Sequence, residues 1–192
     1  MAEAMDEQIL KMREKARREK EGKIEDEKVY IDGEYYCFQE LELFSGKILI
    51  PVPVSFIIMP DELVRQKYPM EGRPQLVLTS DDLEVNYALN YFVDQDFSNE
   101  QVEEATDGFQ SLLSRMQPGN HFYEKQIKWS NNRCYGWFDF KSPGIDQPLY
   151  TLMTFTPIYE KVFHGIFNCS ASKMPDWKPI FLQVIHSLQD NE

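Results

Sequence analysis

The chain has 192 residues, of which 42% are apolar, 27% are charged and 14% are aromatic. This size and composition argue against a disordered chain and predict one folded domain with a buried core. We expect a cytoplasmic protein, because the sequence has neither an apolar run long enough to span a bilayer nor the apolar stretch of a signal peptide. The cysteines Cys37, Cys134 and Cys169 form no CxxC pair, which favours a reducing compartment over a disulfide framework or a zinc ribbon.

The formal net charge of -12 is distributed unevenly along the chain. Residues 1–23 carry 7 Lys and Arg against 6 Asp and Glu, so residues 24–192 carry the remaining 13 against 26. This acidic field repels nucleic acids and anionic membranes, which are bound through clusters of Lys and Arg. We therefore expect a neutral or basic protein partner. The alternative is that the acidity serves only solubility.

The first 23 residues differ in pattern from the rest of the chain. Charged residues of both signs recur in them at helical spacing, and their apolar residues form no stripe beyond the second turn. The pattern predicts a solvated helical arm over residues 1–23, followed by one domain over residues 24–192. The sequence leaves open whether the arm binds a partner or is only a polar extension.

Short strands separated by turns follow the arm. Residues 30–39 are predicted as a strand pair or as one bent strand around an Asp-Gly turn. Residues 41–50 are predicted as a hairpin around a Ser-Gly turn. The prolines of residues 51–56 exclude this segment from the middle of a sheet, so we expect an edge strand or a crossing segment. A short helix is predicted over residues 60–68, where prolines mark both ends.

The clearest strand covers residues 83–93, where apolar side chains recur at every second position, and residues 75–79 precede it as a hairpin partner. The alternation predicts one face in the core and one mostly wet face that includes Asn86 and Asn90. A helix follows over residues 98–116, because a Ser-x-x-Gln capping box begins it and an apolar stripe continues to its end.

Strands rich in aromatic and β-branched residues make up most of the remaining sequence. They are expected at residues 122–129, 133–140, 150–156 and 158–169, as an antiparallel meander. A closing helix over residues 175–188 carries a second apolar stripe. Runs of antiparallel strands punctuated by helices predict an α+β domain in which helices cover an antiparallel sheet.

A family resemblance rests on the long alternating strand, the capped helix, a meander containing Tyr135-Gly136-Trp137, and a closing helix that begins near Asp176. Over residues 40–190 this order resembles the PsbP-like α/β/α sandwich superfamily, and its bacterial DcrB-like branch in particular. Members include the extrinsic PsbP subunit of the oxygen-evolving complex, a Ran-binding nuclear import factor and adaptor chaperones for secreted effectors. The resemblance implies a non-catalytic, protein-binding domain. The missing targeting peptide argues against a photosynthetic role.

The sequence offers little for catalysis. None of its histidines, His121, His164 and His186, has a flanking hydrolase signature. A pairing of Cys134 or Cys169 with one of them, as in a cysteine hydrolase, is left as an alternative. Metal-ligand spacings and glycine-rich phosphate loops do not occur in the sequence, so we predict no catalytic residue, no metal and no cofactor.

The aromatic residues of the meander point to a binding surface. Apolar side chains within residues 133–140 occupy both faces of their strand, so the second face needs a covering helix or a partner. If that face is uncovered, Tyr135, Trp137, Met153 and Phe155 would line a groove for an apolar helix or an extended peptide. The sequence therefore predicts a protein-binding module, such as an adaptor or chaperone for a secreted or membrane-destined client. A structural protein that oligomerises through the arm is a further alternative.

Overall fold

A computed structural model describes residues 22–69, 71–130, 132–144 and 146–191. The predicted arm lies almost entirely outside the described residues. The helices of the described part are α1 (Asp61–Lys67), α2 (Val102–Met116), which follows a 3₁₀ turn at Asn99–Gln101, and α3 (Met174–His186). Its strands are β1 (Val29–Ile31), β2 (Glu34–Tyr36), β3 (Phe38–Leu43), β4 (Ile48–Pro53), β5 (Ile57–Ile58), β6 (Leu76–Thr79), β7 (Asn86–Asp96), β8 (His121–Ser130), β9 (Arg133–Ser142), β10 (Leu149–Ile158), β11 (Lys161–Ser170) and β12 (Gln189–Asp190).

A seven-stranded sheet forms the centre of the fold, in the order β5-β6-β7-β11-β10-β9-β8. Every neighbouring pair in this sheet is antiparallel. The four consecutive strands β8 to β11 form the predicted meander, and β7 lies next to β11. A smaller sheet contains β12, β4 and β3, and β1 pairs with β2. The predicted α+β fold with an antiparallel sheet is confirmed. Among the described helices, none is both long and apolar enough to cross a bilayer.

One face of the large sheet is covered by α3 and, beside it, by the smaller sheet. Trp177, Phe181 and Val184 of α3 are completely buried there. They belong to the same cluster of buried side chains as Tyr87 of the large sheet and Ile50 of the smaller one. The apolar stripe of α3 is therefore used along its whole length.

A buried ion pair also joins α3 to the sheet. The ammonium of Lys178 lies 2.6 Å from a carboxylate oxygen of Asp139, which is fully buried. The Tyr150 hydroxyl donates a hydrogen bond to the same oxygen at 2.8 Å, and the backbone N–H of Glu124 donates to the other oxygen at 2.8 Å. Because both carboxylate oxygens of Asp139 have partners, its negative charge is stabilised inside the protein.

α2 packs on the opposite face of the large sheet, over β9 and β10. Gly136 allows this close approach, because a Cβ atom there would lie 2.1 Å from Thr106 Oγ1 and 2.8 Å from Val102 Cγ1. Val102 and Thr106 are the buried residues of α2. The helix thus covers the part of this face that is nearest to β8 and leaves part of the face over β11 and β7 uncovered.

The expectation of a mostly wet face on the long strand is wrong. Asn86 and Asn90 are both buried, and the strand begins at Asn86 because Leu83 lies in the preceding turn with a φ of 61°. Asn86 accepts a hydrogen bond from Thr79 Oγ1 at 2.9 Å and donates one to Asn168 Oδ1 at 3.1 Å. Hydrogen-bonded amides can be buried at little cost, so their polarity does not mark the solvent side of this strand.

The prolines of β4 lie in the part of this strand that is paired on one side only, as the sequence predicts for them. β12 pairs with β4 only at Ile48 and Leu49. Pro51 and Pro53 lie beyond these positions and face β3 alone. Their missing N–H groups therefore leave no gap in a central ladder.

Candidate partner-binding groove

A cleft of about 840 Å³ lies on the part of the sheet face that α2 leaves uncovered. We call this cleft the groove. Its floor is formed by β7, β10 and β11, one wall by α2, and the opposite wall by the segment between α1 and β6. The side chains that line it include Tyr68, Phe92, Ala105, Phe109, Phe155, Val162, His164 and Ile166.

The α2 wall carries an exposed apolar row. Phe109, Leu112 and Met116 recur at intervals of three and four residues and so lie on one side of the helix. All three are exposed, and Phe109 exposes 43% of its surface. The sequence predicts that the whole stripe packs on the sheet, but only some of its residues do so, including Val102 and Leu113. The row and the groove together form one apolar surface, of the kind that marks interaction sites.

Three rings meet where the floor of the groove joins the α2 wall. The imidazole of His164 stacks on Phe155 with ring centroids 4.6 Å apart, and Phe109 lies 4.8 Å from Phe155. Burial lowers the pKa of His164 to about 4, so its ring is neutral near pH 7. Within the described residues, the buried Nε2 atom of His164 has no hydrogen-bond partner. A polar atom left unpaired in apolar surroundings destabilises the fold, which suggests another role for it.

Polar side chains fix the wall opposite α2. The amide of Asn168 accepts a hydrogen bond from Asn86 at 3.1 Å and donates one to the Tyr68 hydroxyl at 3.4 Å. Arg73 Nε donates to the backbone carbonyl of Tyr68 at 3.1 Å. Burial raises the pKa of Tyr68, so its hydroxyl keeps its proton. These contacts hold the wall in place without an occupant.

The four residues predicted to contact a partner lie on opposite faces of the sheet. Tyr135 and Trp137 lie under α3, with 2% and 1% of their surfaces exposed, so a partner could reach them only if α3 moved away. Met153 and Phe155 face α2, because side chains alternate along β10 and Thr154, opposite Trp137, faces α3. Phe155 lines the groove, and Met153 is partly buried beside it. The four residues therefore do not form one surface.

Sequence reasoning missed Phe109 and His164 as parts of a site. The stripe of α2 predicts Phe109 as an ordinary contact with the sheet, and nothing local distinguishes it from Val102. The one available signal was at His164, which stands between the apolar residues Val162 and Ile166 on the same face of its strand.

Among the described residues, the two buried cysteines are not activated as nucleophiles. Burial raises the pKa of the Cys169 thiol to about 12, and burial together with nearby carboxylates raises that of Cys134. A thiol with a raised pKa forms little thiolate near neutral pH and is a poor nucleophile. Burial, with Lys128 nearby, lowers the pKa of His186. The described residues also contain no group of three or more His, Cys, Asp or Glu placed to hold a metal ion.

A second depression, of about 700 Å³, has a different character. We call it the acidic hollow, because Glu25, Asp26, Glu27 and Glu40 line it together with His186. It offers charge, whereas the groove offers apolar surface.

Several solved structures have a similar fold at low sequence identity. Cyanobacterial PsbP (CyanoP) from Synechocystis sp. PCC 6803 is 9% identical and matches with a TM-score of 0.57 over 80% of this chain and 92% of its own. LpqN of Mycobacterium tuberculosis, involved in cell envelope biogenesis, is 11% identical, with a TM-score of 0.51 over 81% of this chain and 92% of LpqN. The Ran-binding protein Mog1p of Saccharomyces cerevisiae is 11% identical, with a TM-score of 0.48 over 82% of this chain and 97% of Mog1p.

The sequence comparisons gave no match, since no protein-family model and no curated protein matches this chain. At the identities found, the solved structures bear on the fold alone, and the DcrB-like branch stays a prediction. The chain has the PsbP-like α/β/α fold.

Proposed function

We propose that this protein is a non-catalytic protein-binding module whose groove receives an apolar helix of a partner protein. The observation that supports this proposal most strongly is the uncovered strip of sheet between α2 and Tyr68, which is lined by aromatic and aliphatic side chains. Exposed apolar grooves of this kind bind amphipathic or apolar helices in other proteins. An adaptor or chaperone in the cytoplasm for a secreted or membrane-destined client fits this surface, because such clients carry apolar helices.

The width of the floor suits one helix. Phe155, His164 and Phe92 on the floor come from β10, β11 and β7, which are adjacent in the sheet. Neighbouring strands are about 4.8 Å apart, so the three strands span about 10 Å. A helix with its side chains is about 10–12 Å in diameter. One helix would therefore fill the strip beside α2.

A helix also suits this floor better than an extended peptide. The backbone groups of β10 and β11 are already paired with neighbouring strands along the groove. The part of the floor formed by β10 and β11 thus offers no free edge to an added strand, and an extended peptide lying on it would bury unpaired N–H and C=O groups. A helix satisfies these groups internally.

The length of the apolar surface favours a macromolecule over a small ligand. Ala105 and Phe109 line the groove, whereas Leu112 and Met116 continue the apolar row beyond it. From residue 105 to residue 116 the helix rises by about 16 Å. A small ligand in the cleft would leave the end of this row in water, and a partner helix of about three turns would cover it.

Site-specific photo-crosslinking tests the proposal. A photoreactive amino acid at Leu112 should crosslink to partner segments that carry an apolar helical stripe. Phe109→Glu should abolish these crosslinks, because it places a carboxylate on the apolar wall, where desolvation is costly.

Trp129→Glu is the matched control. Trp129 exposes 60% of its surface on β8, outside the residues that line the groove. This variant should keep the crosslinks of the parent protein. Crosslinks that persist in Phe109→Glu, or crosslinked segments without an apolar stripe, would count against the groove as the binding site.

A further inference from the structure

We infer that the helix bound in the groove presents one hydroxyl side chain, of Ser or Thr, that forms a hydrogen bond with Nε2 of His164. The inference rests on the proposed function, because it specifies the occupant of the same groove. Its basis is the buried Nε2 atom of His164, which has no partner among the described residues and whose neighbours on the floor, Phe155, Val162 and Ile166, are apolar.

The neighbours of His164 in the sheet form no hydrogen bond with Nε2. Phe155, which lies opposite in β10, stacks on the imidazole with an angle of 3° between the ring planes. Asn90, which lies opposite in β7, uses its carbonyl oxygen to accept a hydrogen bond from the Gln75 N–H at 3.1 Å. The groove, which His164 lines, is the route by which an incoming group can reach Nε2 and become its partner.

A hydroxyl matches this nitrogen better than other polar groups do. It donates or accepts, so it can pair with either tautomer of a neutral imidazole. A carboxylate or an ammonium would bring an unpaired charge into apolar surroundings, and an amide would bring several further groups that need partners. The remaining bonding capacity of a Ser or Thr hydroxyl can be met by the carbonyl one turn earlier in its own helix.

Phe109 controls access to His164. Its ring lies 5.7 Å from the imidazole, and 43% of its surface is exposed. A side chain that is already half in water can turn outwards at small cost when a helix enters. Docking would then exchange the contact between Phe109 and His164 for a contact with the incoming helix.

A Thr scan of a designed peptide tests the inference. The host is a Leu- and Ala-rich helical peptide of about 20 residues with Lys at both ends, long enough to fold alone. Each apolar position is made Thr or Val in turn, since these residues have the same shape and differ by the hydroxyl. Dissociation constants are measured by fluorescence anisotropy in about 0.5 M salt, which screens the attraction between Lys and the acidic protein.

We expect one position at which Thr binds about threefold to tenfold more tightly than Val, the range of one net hydrogen bond. His164→Phe keeps the aromatic stack and should remove this preference while it still binds the Val peptides. A host that binds with no preferred Thr position, or a preference that persists in His164→Phe, would overturn the inference and leave the proposed function intact. A host that does not bind at all would overturn both.

A measurement on the unmutated protein covers the case in which His164→Phe does not fold. Nuclear magnetic resonance of isotope-labelled histidine nitrogens reports directly on Nε2. The best Thr peptide should shift the Nε2 resonance of His164, and its Val counterpart should not. Equal shifts with both peptides would show that no hydroxyl contacts the ring.

Discussion

The two faces of the central sheet differ in how completely they are covered. On one face, α3 and the smaller sheet bury Trp177 and Phe181 completely. On the other face, α2 buries Val102 and leaves Phe109, Leu112 and Met116 exposed. Both helices have an apolar stripe of similar appearance in the sequence. An apolar stripe on a helix therefore predicts an apolar contact, but it does not predict whether that contact lies within the same molecule.

The strongest way to test this contrast is to remove the same ring from each face. Phe181→Ala should lower the free energy of unfolding by about 3–5 kcal/mol, because a buried cavity replaces the ring. Phe109→Ala should lower it by about 1 kcal/mol, because much of that ring is already in water. Urea unfolding measures both. Equal losses would mean that the two faces contribute alike to stability and that the groove is closed in solution.

A smaller effect concerns pH and the floor of the groove. The pKa of His164 is about 4 in the folded protein against 6.5 for an ordinary histidine. Between pH 4 and pH 6.5 the unfolded chain binds a proton that the folded protein does not. The contribution of His164 to the free energy of unfolding is therefore fully present above pH 6.5 and is lost as the pH falls towards 4. The loss amounts to about 3 kcal/mol.

The comparison of the parent protein with His164→Phe isolates this contribution, because the carboxylates that titrate in the same range are common to both. The unfolding free energy of the variant should fall less steeply with decreasing pH. Parallel pH profiles would mean that His164 is accessible to water and that the floor of the groove is wet.

The smallest effects test the position of α2. Gly136→Ala should destabilise the protein by about 1–3 kcal/mol, because the new methyl group would collide with Thr106 and push α2 away from the sheet. Gly108→Ala, on α2 itself, meets open space and should stabilise by about 0.5–1 kcal/mol. Thermal unfolding distinguishes the two signs. A neutral Gly136→Ala would mean that α2 is loosely packed and that the groove has no fixed width.

The elements of the fold were largely predictable because their signals are local. The capping box at Ser98, the alternation in β7 and the stripe of α3 each lie within one segment of the chain. The burial of Asn86 was not predictable, because the amide that pairs with it, Asn168, lies 82 residues further along the chain. The expectation of a solvent-exposed face on β7 was wrong for this reason.

The groove was predictable in kind but not in place. The aromatic meander indicates more apolar surface than one helix can cover, and Phe155 is a member of both the predicted and the observed surface. The face on which Trp137 lies depends on strand register, and the width of the groove depends on where Gly136 lets α2 settle. Neither the face of Trp137 nor the width of the groove is determined by a single segment of the sequence.

Chemical-shift mapping with the Leu- and Ala-rich helical peptide locates the surface of the protein to which a helix binds. Backbone resonances are followed as the peptide is added to the labelled protein. If the helix binds in the groove, the largest shifts will fall on residues such as Phe92, Phe109 and His164. Glu25 and Glu27 of the acidic hollow will then change little. Shifts centred on the acidic hollow, or no shifts at saturating peptide, would contradict binding in the groove.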